Sequence, residues 1–185
     1  MINEFAYFPE VGAIDSPLLP RQFRLMPDAC EAIRILNDTG IKVIVVSNQP
    51  GIAKGKMTVK NFEKIREKMK RDLRREGAHI DSEYYCFHHP LARKKIYRQN
   101  CACRKPKPGL LLKAAKELDL SLHESFMIGD SLTDVEAGKA AGCTTLLVGN
   151  TKCDLCKLME EKDVHPDFIR PSFVAAARVV QDRVR

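Results

Sequence analysis

The chain has 185 residues, enough for one domain of ordinary size around a single core. With 44% hydrophobic and 30% charged residues the composition is that of a globular protein, which excludes a disordered or fibrous one. The 31 Lys+Arg against 24 Asp+Glu leave a net charge of +7, which suits an anionic partner, a phosphorylated metabolite as readily as nucleic acid. No apolar run reaches the length of a membrane span and the N-terminus has no basic-then-apolar pattern, so no membrane partner and a cytoplasmic location are expected. Four of the seven cysteines fall into tight pairs, which favours metal binding over a disulfide framework.

Met1–Leu25 is broken by Pro9, Gly12, Pro17 and Pro20 and reads as a long loop. A helix is predicted over Pro27–Thr39, with Ala29, Ile33 and Leu36 on one face and Gly40 as its stop. Ile41–Val46 is a continuous β-branched run, the mark of a strand in a parallel sheet, and ends at the polar turn Ser47-Asn48-Gln49-Pro50-Gly51. Thr58 caps a helix to about Glu76, carrying Phe62, Ile65, Met69 and Leu73 on its apolar face. Its other face mixes Lys60, Lys64, Lys68, Arg71 and Arg75 with Glu63, Glu67 and Asp72, a solvated face with paired charges rather than a nucleic-acid stripe.

Further strands are predicted at Tyr84–Phe87, Phe126–Ile128 and Thr145–Val148, and helices at Gly109–Leu118, Thr133–Ala141 and Ser172–Val184. This alternation defines an α/β fold, a Rossmann-like open and mostly parallel sheet in a single domain over 1–185. Residues 86–103 form a small metal-binding loop within it, and 151–185 read as a C-terminal extension.

In such sheets ligands bind at the carboxyl ends of the strands. Ser47 and Asn48 follow one strand, and Asp130 follows another with Asp134 four residues later. Arg104-Lys105-Pro106-Lys107-Pro108-Gly109 leads into a helix N-terminus, which favours anions. A hydroxyl and an amide to hold phosphate oxygens, a lysine to neutralise charge and a carboxylate for Mg²⁺ together make a phosphate site.

Cys86-Phe87-His88 and Cys101-Ala102-Cys103 supply three thiolates and an imidazole, a soft tetrahedral set suited to a structural Zn²⁺. His89 is an alternative to His88. The twelve residues between His88 and Cys101 would form an ordered loop rich in Arg93, Lys94, Lys95 and Arg98. Cys153-Asp154-Leu155-Cys156 is a lone pair with no second pair nearby, and Cys30 and Cys143 read as core residues.

Ser47-Asn48-Gln49, Cys86-Phe87-His88-His89-Pro90, Cys101-Ala102-Cys103-Arg104-Lys105-Pro106 and Gly129-Asp130-Ser131-Leu132-Thr133-Asp134 occur in this order. Together they resemble the zinc-containing branch of the haloacid-dehalogenase-like phosphatases, from Met1 to about Asn150. The resemblance implies a monomeric, Mg²⁺-dependent phosphomonoesterase acting on a small phosphorylated sugar, with a heptose 1,7-bisphosphate in first place and histidinol phosphate as the alternative.

It also implies that Ser47 and Lys105 stabilise the transferring phosphoryl group, and that Asn48 and Arg104 bind substrate. In the same way Asp130 is implied as the Mg²⁺ ligand, Cys86, His88, Cys101 and Cys103 as zinc ligands, and Asp134 as a support behind the site.

One departure is plain. The family's nucleophile and its general acid/base are two aspartates in an Asp-x-Asp-Gly motif at the end of the first strand. No Asp-x-Asp occurs in the 185 residues, and Asp15, Asp28 and Asp38 stand alone. In the family such a motif precedes a segment like Ile2-Asn3-Glu4. The expectation is therefore a first strand and two aspartates upstream of Met1, with catalytic activity only when they are supplied. A non-catalytic phosphosugar-binding remnant and a zinc-stabilised nucleic-acid module are the competing readings.

Overall fold

The computed structural model describes residues 1–149 and 153–184. It opens with a small antiparallel ribbon, β1 (Ala6–Phe8) against β2 (Ala13–Asp15), where the sequence predicts an irregular loop. The ribbon survives because Pro9 and Gly12 fall in its turn, Gly12 with φ of 60°, and Pro17 and Pro20 come after it.

Helix α1 (Ala29–Asp38) leads to strand β3 (Ile44–Asn48), which starts three residues later than predicted and takes in Ser47 and Asn48. The physical reason lies in Val43. Its N–H donates to the Asp81 carboxylate at 2.7 Å and its carbonyl accepts from Asp81 N–H at 2.8 Å, so Ile41–Val43 is held by a loop instead of a ladder. The polar turn after β3 contains a short helix, α2 (Pro50–Ala53), with Pro50 at a first-turn position that suits it.

Helix α3 (Val59–Arg75) begins where predicted, with the Thr58 hydroxyl accepting from Asn61 N–H at 3.1 Å. Its charged face is laced by pairs: Arg66 with Glu63 at 2.6 Å and with Glu83 at 2.5 Å, Lys70 with Glu67 at 3.0 Å, and Lys68 with Asp72.

Strand β4 (Ser82–Cys86), helix α4 (Gly109–Leu118), strand β5 (Phe126–Gly129), helix α5 (Leu132–Ala141) and strand β6 (Thr144–Val148) follow closely on the predicted segments. Helix α6 (Cys153–Lys162) and strand β7 (Phe168–Arg170) were not anticipated, and α7 (Phe173–Val184) closes the described chain. The stretch read from sequence as an extension thus adds a strand and a helix to the same sheet and core.

The parallel strands form two half-sheets, β3–β4 and β5–β6–β7, in which β3 and β5 do not pair with each other. The main core lies against β5–β6–β7, while Ile44 and Val46 of β3 and Tyr84 and Cys86 of β4 pack in a separate cluster with Leu110 and Ala114 of α4. Ala29, Ala32 and Ile33 of α1 pack near Ala176, Ala177 and Val180 of α7, with Leu73 of α3 and Leu146 of β6. Small side chains on α1 and α7 allow the close approach, and each buried Ile or Leu contributes about 1.5–3 kcal/mol. Asp28 ties the layers, accepting from Phe173 N–H at 2.8 Å at the start of α7. Cys143 is buried and Cys30 half-buried against this core. Among the described residues no helix is long and apolar enough to cross a membrane.

Asp167 anchors the start of β7 to β6. Burial opposes its ionisation. Hydrogen bonds from Lys139, Thr145 N–H and the Thr145 hydroxyl outweigh that and hold the carboxyl down at about 2. A carboxyl depressed on folding contributes stability above its unfolded value, and that stability drains away as pH falls from about 4 to 2. Asp167→Asn is therefore expected to lower stability at neutral pH by about 1–2 kcal/mol. It should also flatten the acid limb of a stability–pH curve measured by urea titration. An unchanged acid limb would contradict this.

Candidate active site and metal centre

The carboxyl ends of β3 and β5 carry the polar groups singled out in the sequence. Ser47, the penultimate residue of β3, accepts a hydrogen bond at its hydroxyl from Gln49 Nε2 at 3.0 Å. Asn48 clamps the loop before α4: its Nδ2 donates to Lys105 carbonyl at 3.0 Å and its Oδ1 accepts from Lys105 N–H at 3.1 Å. Both ends of the Asn48 amide are thereby occupied, so its position in the site is that of a strut for Lys105.

Lys105 reaches across from that loop. Its ammonium donates to the Val46 carbonyl at 2.8 Å and to Asp134 Oδ1 at 2.6 Å. Lys105 and Asp134 are buried, with side chains 11% and 7% exposed, so this ion pair is screened far less than a surface one. Asp134 Oδ2 in turn accepts from Ser131 N–H and Ser131 Oγ at 3.1 and 2.9 Å, closing a capping box on α5. Gly129 is required for this arrangement, because a Cβ there would stand 2.4 Å from Asp134 Oδ2.

Asp130 is open to solvent, its side chain 47% exposed, and accepts from the Met1 amine at 2.6 Å. As a single exposed carboxylate beside the Lys105–Asp134 pair, it fits one ligand of a hard cation that takes its remaining ligands from phosphate and water. Arg104 donates to the His88 carbonyl at 3.2 Å.

The second centre gathers Cys86, His88, Cys101 and Cys103, whose donor atoms all lie within 4.8 Å of one another. The sulfurs are 3.1–3.5 Å apart and His88 Nδ1 is 3.4 Å from Cys103 Sγ. Three thiolates and an imidazole around one tetrahedral ion, with Zn–S of about 2.3 Å, fit this spacing. Burial opposes ionisation of Cys101, but hydrogen bonds from Cys103, Cys86, His88 and the Arg104 backbone outweigh it and bring that thiol down to about 6. Burial pushes Cys86 and Cys103 up. His89 stays outside the cluster, its Nδ1 accepting from Leu91 N–H at 3.0 Å.

The loop closed by these four residues is pinned elsewhere too. Arg93 and Lys94 donate from their backbone to the Ala53 carbonyl of α2, and Tyr97 packs on Phe87 with ring centres 6.4 Å apart. Gly109 lets this loop fold tightly on α4, since a Cβ there would lie 2.4 Å from the Ala102 carbonyl. Cys156 is exposed on α6, while the Cys153 side chain lies outside the described residues.

Sequence reasoning found the ends of the strands and the metal cluster. It did not find the Lys105 bridge to Asp134 and Val46, although Gly129 before Asp130 was a signal that something must approach the backbone there.

A parallel sheet with an acid, a serine and a bridging lysine at its strand ends is the arrangement of a haloacid-dehalogenase-like hydrolase. Residues 102–176 match the HAD-hydrolase-like family. The chain is 40% identical over 129 residues to the D-glycero-β-D-manno-heptose-1,7-bisphosphate 7-phosphatase of Escherichia coli K12, covering 70% of this chain and 68% of that protein. It is 42% identical over 120 residues to the enzyme of the same name from Pasteurella multocida, covering 65% of each. The crystal structure of D,D-heptose 1,7-bisphosphate phosphatase from B. bronchiseptica, complexed with magnesium and phosphate, superposes with a TM-score of 0.79 at 26% identity, over 99% of this chain and 94% of that one. The chain belongs to the HAD-like phosphatases, alongside these heptose-bisphosphate enzymes.

Proposed function

We propose that this protein is a Mg²⁺-dependent phosphomonoesterase that removes the 7-phosphate of D-glycero-D-manno-heptose 1,7-bisphosphate. The observation that carries the reaction is the buried Lys105–Asp134 pair set between Ser47 and Asp130 at the strand ends. The substrate follows from the likeness to the heptose-bisphosphate phosphatases.

A phosphate entering at this level accepts from the Ser47 hydroxyl and the Lys105 ammonium, donors fixed in place before the charge develops on the phosphoryl oxygens. Asp134 holds the ammonium at one position. Mg²⁺ held at Asp130 would supply further neutralisation of the phosphate charge. Arg104 and the basic loop beside it meet the rest of the anionic substrate. Cys86, His88, Cys101 and Cys103 would hold Zn²⁺ with all four ligand positions filled by protein, which would keep that loop in place without chemistry of its own.

The nucleophile of this reaction is a carboxylate. Asp134 is committed to Lys105 and Ser131, and no Asp-x-Asp pair stands in the 185 residues.

The test is phosphate release by the chain carrying an upstream strand that ends in Asp-x-Asp-Gly. With Mg²⁺ present it is expected to prefer heptose 1,7-bisphosphate over histidinol phosphate by at least about tenfold, and EDTA should abolish turnover. Failure to hydrolyse any phosphomonoester would overturn the reading, and a preference for histidinol phosphate would overturn its substrate.

A further inference from the structure

The six most exposed large apolar side chains among the described residues, from Leu91 at 81% to Tyr7 at 63%, all fall on two loops, while the rest reach 50% at most. Phe5, Tyr7, Val11 and Ile14 belong to the β1–β2 ribbon. Tyr7 and Ile14 are cross-strand partners on one face, and Phe5 precedes Tyr7 by two residues. That face looks outward, because on the other Ala6 is buried and Asp15 is paired with Lys56 at 2.5 Å.

Leu91 and Ile96 belong to the loop between His88 and Cys101. Both loops are fastened to the same short segment. The ribbon reaches Lys56 through Asp15, and the second loop donates from Arg93 N–H and Lys94 N–H to the Ala53 carbonyl at 3.0 and 3.3 Å. The two apolar sets therefore flank residues 53–56.

Beside Leu91 and Ile96 stand four exposed cations, Arg93, Lys94, Lys95 and Arg98. No acidic residue occurs between Glu83 and Glu117. Unlike the paired cations of α3, these four have no ion-pair partner among the described residues. Arg98 Nε donates to the Ala92 carbonyl at 2.8 Å, which stiffens the loop.

We propose that these two loops form a docking surface for an anionic lipid bilayer. Basic side chains meet lipid phosphates at the headgroup level while the apolar ones among them enter the acyl boundary, the means by which a protein with no spanning segment attaches to a membrane. The expectation of no membrane partner rested on the lack of a spanning segment, which leaves attachment at the surface open.

Charge and area favour this occupant over the others. A second copy would bring another +7 of net charge to a basic surface. A stable dimer also takes about 800 Å² and 20–30 residues from each partner, far more than six apolar side chains on two short loops supply. A nucleic acid would use aromatic faces for stacking. The four most exposed of the six, Leu91, Ile96, Val11 and Ile14, are aliphatic, and Tyr97 of the basic loop is turned in against Phe87.

The test sediments the 185-residue chain with vesicles of phosphatidylcholine containing roughly one-third phosphatidylglycerol, and with phosphatidylcholine alone, at about 0.1 M salt. Binding to the anionic vesicles should be at least about tenfold tighter. Arg93→Gln with Lys95→Gln should weaken it about tenfold or more, and Leu91→Ser with Ile96→Ser by a similar factor. All four side chains are exposed, so each double variant should keep the wild-type melting temperature, which separates lost docking from lost folding. The chain has no tryptophan, so Ile96→Trp puts a single reporter in the loop. Its emission should move to shorter wavelength on anionic vesicles and stay in place with neutral ones.

Equal binding to both kinds of vesicle, full binding by either double variant, or an unshifted emission would overturn the proposal. So would self-association that grows with protein concentration and is lost in the Leu91→Ser, Ile96→Ser variant, because a second copy would then be the occupant. Binding of single-stranded RNA as tightly as vesicles, and indifferent to loss of Leu91 and Ile96, would assign the surface to nucleic acid instead. None of these readouts involves hydrolysis, so failure of the docking surface and failure of the phosphatase reading are separable.

Discussion

Replacing Cys101 with serine is expected to release the metal and lower the melting temperature by roughly 10 °C. Cys101 Sγ sits 3.1 Å from Cys103 Sγ and 3.5 Å from Cys86 Sγ, so a hydroxyl there breaks the ligand set at its centre. The effect should be large because an ion held by these residues would tie β4, through Cys86, to the segment leading into α4. That segment also carries Lys105, so loss of the metal should loosen the strand-end site. Metal analysis of the purified wild type should find about one equivalent of zinc. A metal-free wild type with the stability of the variant would contradict the assignment.

The second large effect concerns Lys105. Lys105→Met leaves the Asp134 carboxylate, 7% exposed, without its counter-charge, which is expected to cost about 3–5 kcal/mol in a urea titration. In a chain supplied with the nucleophile, loss of the ammonium should also lower kcat about 10²–10³-fold. The double variant Lys105→Met with Asp134→Asn separates the two roles. It should recover much of the stability, since the buried charge is gone, and none of the activity. Recovery of both would show that Lys105 acts only as a structural partner.

What was legible in the sequence was short in range. The CxH and CxC pairs place their donors within two residues of each other, and only the meeting of the two pairs needed the fold. Thr58 and Gly142 mark helix ends by local chemistry, and those ends were found closely. The missed pieces are short or distant. β1, β2 and β7 have three residues each, too few for a period, and are held by their partners.

The Asn48 clamp joins residues 57 positions apart and the Lys105–Val46 contact 59, separations that carry no local signal. The strand read from Ile41 started late for a similar reason, since Asp81 takes the backbone of Val43. The positive charge, open at first to nucleic acid, is spent in pairs along α3 and, at Lys105, on Asp134.

The central claim, that these strand ends handle the 7-phosphate of a heptose bisphosphate, is tested most directly by phosphorus NMR. Heptose 1,7-bisphosphate is incubated with Mg²⁺ and the chain carrying the upstream Asp-x-Asp-Gly strand. The 7-phosphate resonance is predicted to give way to inorganic phosphate while the 1-phosphate resonance persists. Loss of the 1-phosphate first, or two unchanged resonances, would contradict it.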